Sequence, residues 1–494
     1  MSTTDMASTR VAETTPVSNP FGAYEPVLTR AFELSQTFVE GLAERPVSHR
    51  PGPEEMAALL NEPLPERGTD AVSALDDWFG RAERGIVASA GPRFFGFVVG
   101  GTIPAALAGD WLASAIDQNA GMWLSSPAAA QTELVVLRWL KELFDLPAAW
   151  SGALTSGATM ANLVGLAAAR QWAGSHLGFD ATADGLGGHP PLPVVSSTEI
   201  HSSALKALGT LGIGRGMVRQ VSAPGGAIDS EALAAELATI DGPVIVVANA
   251  GEVNTGAFDD LDAVANQCER HPGGAWLHVD GAFGLFAALA PAHAHLVAGI
   301  DRADSVAADG HKWLNVPYDC GFAFVRDQEA LRSAFAATAA YLTPGSSAAW
   351  DPHTHVPEMS RRFRGLPAWC ALKTAGRDGY REMVERCLAN AAAFAGWVAG
   401  EPDLELMAPA PLTIVCFRYR ADGVDDETLD AMNRAAVAAL QADGRVFVTG
   451  TVWRGREAIR AAFDNWSTTP ADVAILQQAV RDISSKLVTS GEGR

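Results

Sequence analysis

Charge is scarce in this sequence, and what there is leans to one sign. Only 19% of its 494 residues are charged, against about a quarter in an average soluble protein. Lys and Arg number 36 against 57 Asp and Glu, a formal charge of −21, which repels phosphate backbones and anionic lipid and argues against nucleic acid or membrane as partner. Cysteine is sparse too. Cys268, Cys320, Cys370, Cys387 and Cys416 are odd in number, widely spaced and without a CxxC pair, so neither a disulfide framework nor a structural zinc is expected and the chain reads as reduced and cytoplasmic. The most apolar stretches, 95–107 and 283–300, are interrupted by Gly, Pro or His and fall short of the run of about 18 apolar residues that spans a membrane. The first twenty residues, rich in Ser, Thr and Pro with Asp5 and Glu13 among them, lack the apolar centre of a signal peptide. GxSxG and GxxxxGK[ST] are missing as well, which removes the usual serine-hydrolase and nucleotide-hydrolase readings.

What is present suffices for large cores: 48% of the residues are hydrophobic, and the length suggests roughly two to three domains. A flexible tail is expected over 1–20 and a helix-rich segment over 21–110. In 111–358, short β-branched runs at 194–196, 218–221, 244–248, 276–279 and 321–325 alternate with Ala-rich helical runs, the pattern of βαβ units around a buried, mostly parallel sheet. Residues 359–494 read as a smaller α+β domain with a long helix to about 400, strands near 413–419 and 446–451, and a final helix after Pro470.

Ligands of an open parallel sheet sit beyond the carboxyl ends of its strands, so the polar residues there carry the argument. Asp280 follows one strand, with Gly281 and Ala282 behind it. Another runs into Asp309-Gly310-His311-Lys312-Trp313, which sets a lysine beside a histidine. Thr155 to Thr159 form a small-residue turn opening a helix, suited to a phosphate, and His201 stands at a further strand-to-helix junction. An amine, an acid, an aromatic ring and a helix start are together what pyridoxal phosphate requires. The pairs His293/His295 and His353/His355 have metal-compatible spacing but no companion ligands, and Gly212 to Gly216 lack the strand before and helix after of a dinucleotide loop; no metal is expected.

The run His278 to Ala282, the run Asp309 to Asp319, the stretch Gly450 to Asn465 and Asn465-Trp466 resemble the group II pyridoxal-phosphate-dependent amino-acid decarboxylases, the aromatic amino-acid and glutamate decarboxylase group, over residues 93–473. The resemblance implies an α/β chain of fold type I, aspartate aminotransferase-like, with a mostly parallel large-domain sheet, a helical N-terminal segment and a small C-terminal α+β domain. It implies pyridoxal 5'-phosphate as cofactor, a small amino-acid substrate, and a homodimer with active sites at the interface. Lys312 then corresponds to the Schiff-base lysine, Asp280 to the partner of the pyridine nitrogen, Ala282 to the residue packed behind the ring, and His201 to the stacking histidine. Ala158 and Thr159 match the phosphate-binding pair, and His311 the histidine beside the lysine. Tyr341 matches the loop tyrosine that returns a proton after carbon dioxide leaves. Phe97 stands at the pocket edge. Glu252 occupies a position where relatives often carry Thr or Asn, with three readings: repelling a substrate carboxylate, attracting an amino group, or pointing away. Decarboxylation to an amine is the expected reaction. Oxidative deamination to an aldehyde, aminotransfer and carbon–carbon lysis are the alternatives on the same cofactor, and a catalytically silent dimer scaffold is the non-enzymatic one.

Overall fold

The structure, a computed structural model, describes residues 20–48, 51–336 and 350–491. The tail expected over 1–20 lies almost wholly outside them, and so does Tyr341.

The chain divides into two compact units. The first, formed by the residues up to Arg45 and by His49–Val87, is helical: Tyr24–Glu40, Pro53–Leu60 and Ala71–Ala82. Pro53 opens the second helix, where a missing N–H costs nothing, and Asp70 caps the third by accepting from the Ser73 N–H at 2.9 Å. Neither of the first two helices has a buried residue.

The second unit, Pro46–Ser48 with Ala88–Arg494, holds two sheets. The larger contains β1 (Ser151–Thr155), β2 (Val194–Ser197), β3 (Val218–Val221), β4 (Val244–Asn249), β5 (Ala275–Asp280), β6 (Ser305–Asp309) and β7 (Gly321–Val325), in the order β1-β7-β6-β5-β4-β2-β3. Strands β6, β5, β4, β2 and β3 run parallel, while β7 enters antiparallel between β1 and β6. Period-two alternation splits the core in two. Val244, Val246 and Ala248 join the apolar cluster on one face, while Ile245 and Val247 join the other. Two covered faces explain why these strands read as unbroken β-branched runs.

Register then gathers the polar strand ends. Asn249 pairs with Asp280, and Gly321 pairs with both Asp309 and Thr155, so the carboxyl termini of β1, β4, β5 and β6 form one edge.

The smaller sheet is antiparallel, with β8 (Leu404–Leu406), β9 (Ile414–Tyr419), β10 (Thr449–Trp453) and β11 (Arg456–Ala462) in the order β10-β11-β9-β8. Its core includes Leu440 from the helix Asp426–Asp443 and Leu476 from the helix Pro470–Gly491. The strand expected near 446–451 lies at β10, and β11 has no counterpart in the sequence reading: its charged and small residues form no β-branched run. A two-residue turn joins them, with Arg454 at φ 50° and Gly455 at φ 75°. The helix Pro104–Ile116 runs through the boundary expected at 110, and the long helix Gly365–Gly400 is interrupted at Gly376.

Within the second unit, one buried ion pair fastens β1 to the helix Pro127–Leu143, which carries Glu133. Arg361 and Glu133, 4% and 3% exposed, meet in two parallel bonds of 2.9 Å. Arg361 also donates to the carbonyls of Ala120 and Leu154, and Glu133 accepts from the Leu154 N–H. Cutting one half of such a pair leaves a buried charge alone and costs about 3–5 kcal/mol. Arg361→Met is therefore expected to lower the apparent melting temperature sharply, and adding Glu133→Leu should recover much of the loss. An Arg361→Met protein that melts with wild type would contradict this role.

Candidate active site

The centre of the site is a carboxylate. Asp309, the last residue of β6 and 3% exposed, lies 3.3 Å from the Lys312 amine and 3.4 Å from His311 Nε2. It also accepts the Ala158 N–H at 2.7 Å. The chain turns from β6 into the lysine loop without a break, so the acid and the amine are brought together by three residues of local sequence. Lys312 Nζ also stands 5.8 Å from the centre of the Phe283 ring, and His311 stacks on Tyr318 at 4.2 Å. Burial pushes the His311 pKa down, with Asp309 opposing, and its buried Nδ1 has no hydrogen-bond partner.

Asp280 ends β5 and is 5% exposed. Its two oxygens accept from the Ala282 N–H at 3.1 Å and from the Asn162 amide at 2.8 Å. His201 caps the helix Ser202–Thr210. Its Nδ1 accepts from the Ser203 N–H at 3.2 Å and lies 2.7 Å from the Ser203 hydroxyl. Burial lowers its pKa, Lys312 and Arg460 add to that, and Asp280 and Asp309 oppose it. The ring is thus biased toward neutrality.

The small-residue turn requires glycine. Gly157 sits at φ 153°, and a Cβ there would meet His311 Cε1 at 3.0 Å and Asp309 Oδ1 at 3.3 Å. The helix that follows, Ala158–His176, has no side-chain cap, and Thr159 in its first turn is exposed. These features fit a phosphate, which a helix start attracts through free N–H groups and the helix dipole. Ala158 departs from expectation, since its N–H goes to Asp309. Thr159 is the better candidate of the pair.

The strap over the lysine is equally tight. A Cβ at Gly100 would fall 1.8 Å from the Lys312 carbonyl oxygen. Asn315 stitches the segments by accepting from the Gly101 and Trp466 N–H groups and donating to the Asp464 carbonyl. Phe97, 57% exposed with φ 57°, lies at the start of this strap, 6.4 Å from Phe447.

Glu252 turns its carboxylate into its own loop. It is 2% exposed, and its carboxylate accepts from the N–H groups of Asn254 and Thr255 and from the Thr255 hydroxyl. Both oxygens hold the shape of their own loop. Burial still pushes its pKa up.

Sequence reasoning passed over Asp309 as a site residue although it opens the quoted lysine run, and passed over Asn162, His278, Ser203, Arg460 and Asp464. Asn162 follows Ala158 by four residues, one helical turn, which is the only local signal it carries. Arg460 is 6% exposed, with Nε and Nη2 unpartnered, and Asp464 is 2% exposed with Oδ2 unpartnered. Burial pushes the Asp464 carboxyl up to about 7, with Lys312 and Arg460 opposing. Unfolded, it would ionise near 4, so the folded protein holds an extra proton between about pH 4 and 7 and the stability from this group is lost as pH rises through that window. Asp464→Asn should therefore unfold at higher urea than wild type at pH 8, with the gap closing toward pH 5. A gap independent of pH would contradict this.

Comparison with known proteins agrees with the geometry. The model of the pyridoxal-dependent decarboxylase conserved domain matches residues 53–420. Tryptophan decarboxylase 1 of Oryza sativa is 30% identical over 84% of this chain and 82% of its own, and L-2,4-diaminobutyrate decarboxylase of Rhizobium meliloti is 31% identical over 87% and 85%. Phenylacetaldehyde synthase of Arabidopsis thaliana is 26% identical over 86% and 88%. The crystal structure of Oryza sativa TDC with PLP and tryptamine superposes with a TM-score of 0.88 at 26% identity, covering 96% of this chain and 100% of that one. An amine beside a buried acid, a second acid at a neighbouring strand end and an uncapped helix start are the parts such a cofactor needs, and this chain belongs to the pyridoxal-dependent decarboxylase family, as a pyridoxal-phosphate-dependent enzyme of the carboxy-lyase class.

Proposed function

We propose that this enzyme removes the carboxylate of an L-amino acid as carbon dioxide and releases the amine. The observation that carries the reading is the convergence of Lys312 with Asp309, and of Asp280 with His201, on one edge of the sheet. Bound pyridoxal phosphate supplies the electron sink for the pair left behind when the carboxylate departs. Lys312 would hold its aldehyde carbon, Asp280 its pyridine nitrogen, Thr159 and the helix start its phosphate, and His201 and Ala282 the two sides of its ring. Asp309 compensates the charge of the lysine whenever the amine is free and protonated.

The overall change takes up one proton at the α-carbon for each carbon dioxide lost. His201 and the sequence-assigned Tyr341 are the donors we assign. Aldehyde formation instead consumes oxygen and water and yields ammonia and hydrogen peroxide alongside carbon dioxide, the outcome suggested by the relative named a phenylacetaldehyde synthase. Tyr341 favours the amine. We further propose a homodimer, since Phe97 and Tyr318 at the site are 57% and 61% exposed in the single chain, and a cytoplasmic location, in keeping with five free cysteines.

The test is reconstitution with pyridoxal phosphate and a screen of the proteinogenic amino acids and 2,4-diaminobutyrate. Carbon dioxide and amine in equal amounts, with no oxygen uptake, are expected. Aldehyde with ammonia and peroxide would overturn the reading. Lys312→Ala should lose turnover by several orders of magnitude together with the visible band of the bound cofactor; a Lys312→Ala protein with ordinary turnover would remove this site from the mechanism.

A further inference from the structure

Behind Asp280 runs a chain of buried hydrogen bonds whose direction can be read from its ends. The Trp276 indole, which can only donate, gives its N–H to the Ser305 hydroxyl at 2.8 Å. Ser305 lies 2.8 Å from His278 Nδ1. The hydroxyl oxygen accepts from the indole and still has one proton to give, so it can donate to Nδ1, and the Asp280 end of the chain requires that arrangement, with Nδ1 the acceptor and the proton on Nε2. His278 is fully buried, and burial lowers its pKa to about 4, with Asp280 opposing, so the ring is neutral near pH 7. Its Nε2–H then meets the Asn162 carbonyl oxygen at 2.9 Å, which turns the Asn162 amide nitrogen toward Asp280 at 2.8 Å and Ser203 Oγ at 3.1 Å. Ser203, accepting there, sends its own proton to His201 Nδ1 at 2.7 Å.

The far end checks the near one. The Ser203 backbone N–H also points at His201 Nδ1, which independently requires that nitrogen to be an acceptor. The carboxylate of Asp280 demands a donor from Asn162 as well. The backbone N–H and the carboxylate at this end therefore set the polarity of every link, and the indole at the other end is compatible with it.

We propose that Asn162 is a positioning residue, the branch point of a one-way hydrogen-bond relay that presents an N–H donor to Asp280 and sets His201 with its proton on Nε2. Asn162 itself is fully buried and acts through Asp280 and His201. The relay joins the residue assigned to the pyridine nitrogen to the residue assigned to the ring face, which fixes the proton positions at both from one amide. The inference rests on the cofactor site and is independent of which product the enzyme releases.

Asn162→Asp keeps the shape and replaces the donor with an acceptor. Two carboxylates then face each other and have to share a proton. The other charged and titratable groups around the relay are His278 behind it, and His201, Lys312, Asp309 and Arg460 toward the pocket. The measurement is the equilibrium dissociation constant for pyridoxal phosphate between pH 6 and 9, read by absorbance and by quenching of tryptophan fluorescence, with apo-protein melting as the control for folding. Asn162→Asp is expected to weaken binding about tenfold or more at pH 8 and to regain most of that at pH 6, where the shared proton restores a donor. Binding equal to wild type throughout, or weakened by one constant factor at every pH, would overturn the proposal, because a packing defect has no reason to follow pH.

Ser305→Ala and Ser305→Thr cover the case in which Asn162→Asp does not fold. Ser305 is three links from Asp280. Removing its hydroxyl takes away the donor that keeps His278 Nδ1 an acceptor and so weakens the hold of His278 on the Asn162 oxygen, so Ser305→Ala should weaken the cofactor several-fold and Ser305→Thr should restore it. Wild-type affinity in Ser305→Ala would sink the relay even if the enzyme proved to be a decarboxylase, and a different reaction product would leave these affinities as expected.

Discussion

Asp309 is the point on which the site depends. A carboxylate with this little exposure must be matched by donors or opposite charge, and it is matched by the Lys312 amine, by His311 and by the N–H of Ala158. These come from the lysine loop and from the turn after β1, which β7 alone separates from β6 in the sheet. Satisfying one acid therefore positions the amine, the histidine beside it and the helix start at once. Any route to the folded state that leaves the turn after β1 unformed leaves this charge short of a partner.

The same logic recurs one strand over. Asp280 is held by a donor from its own turn and another from the helix Ala158–His176, and Asp259 by the N–H groups of Ile228 and Asn249. Acids on these loops act as fasteners between backbone segments. Glu252 works within a single loop, its carboxylate taken up by the N–H groups of Asn254 and Thr255 and by the Thr255 hydroxyl.

That contrast marks what the sequence makes legible. The sheet could be read because strands covered on both faces need β-branched residues throughout, and Lys312 and Asp280 could be singled out because each follows such a run, whereas Asp309 could not be told from an ordinary strand end. Strand β11 was missed for the converse reason: the run Arg456–Ala462 is buried chiefly through Ala and Ile, and its partner β9 supplies the bulk. The relay was missed because its links are made across the fold. Asn162 and Asp280 are 118 positions apart, and nothing in the neighbourhood of either residue announces the other. Arg460 and Asp464, likewise, become notable only when burial leaves polar atoms of each unpartnered.

The glycine strap bears on how such a pocket can change over evolutionary time. Gly100 is pressed so closely on the Lys312 carbonyl that no side chain fits, and Gly101 would drive a Cβ to 2.8 Å from the Asn465 amide. Phe97, three residues earlier and open to solvent, meets no such wall. Along this strap the inner end admits no side chain while the outer end can exchange one, so the residue pressed on the lysine loop is the last to drift and the exposed residue the first.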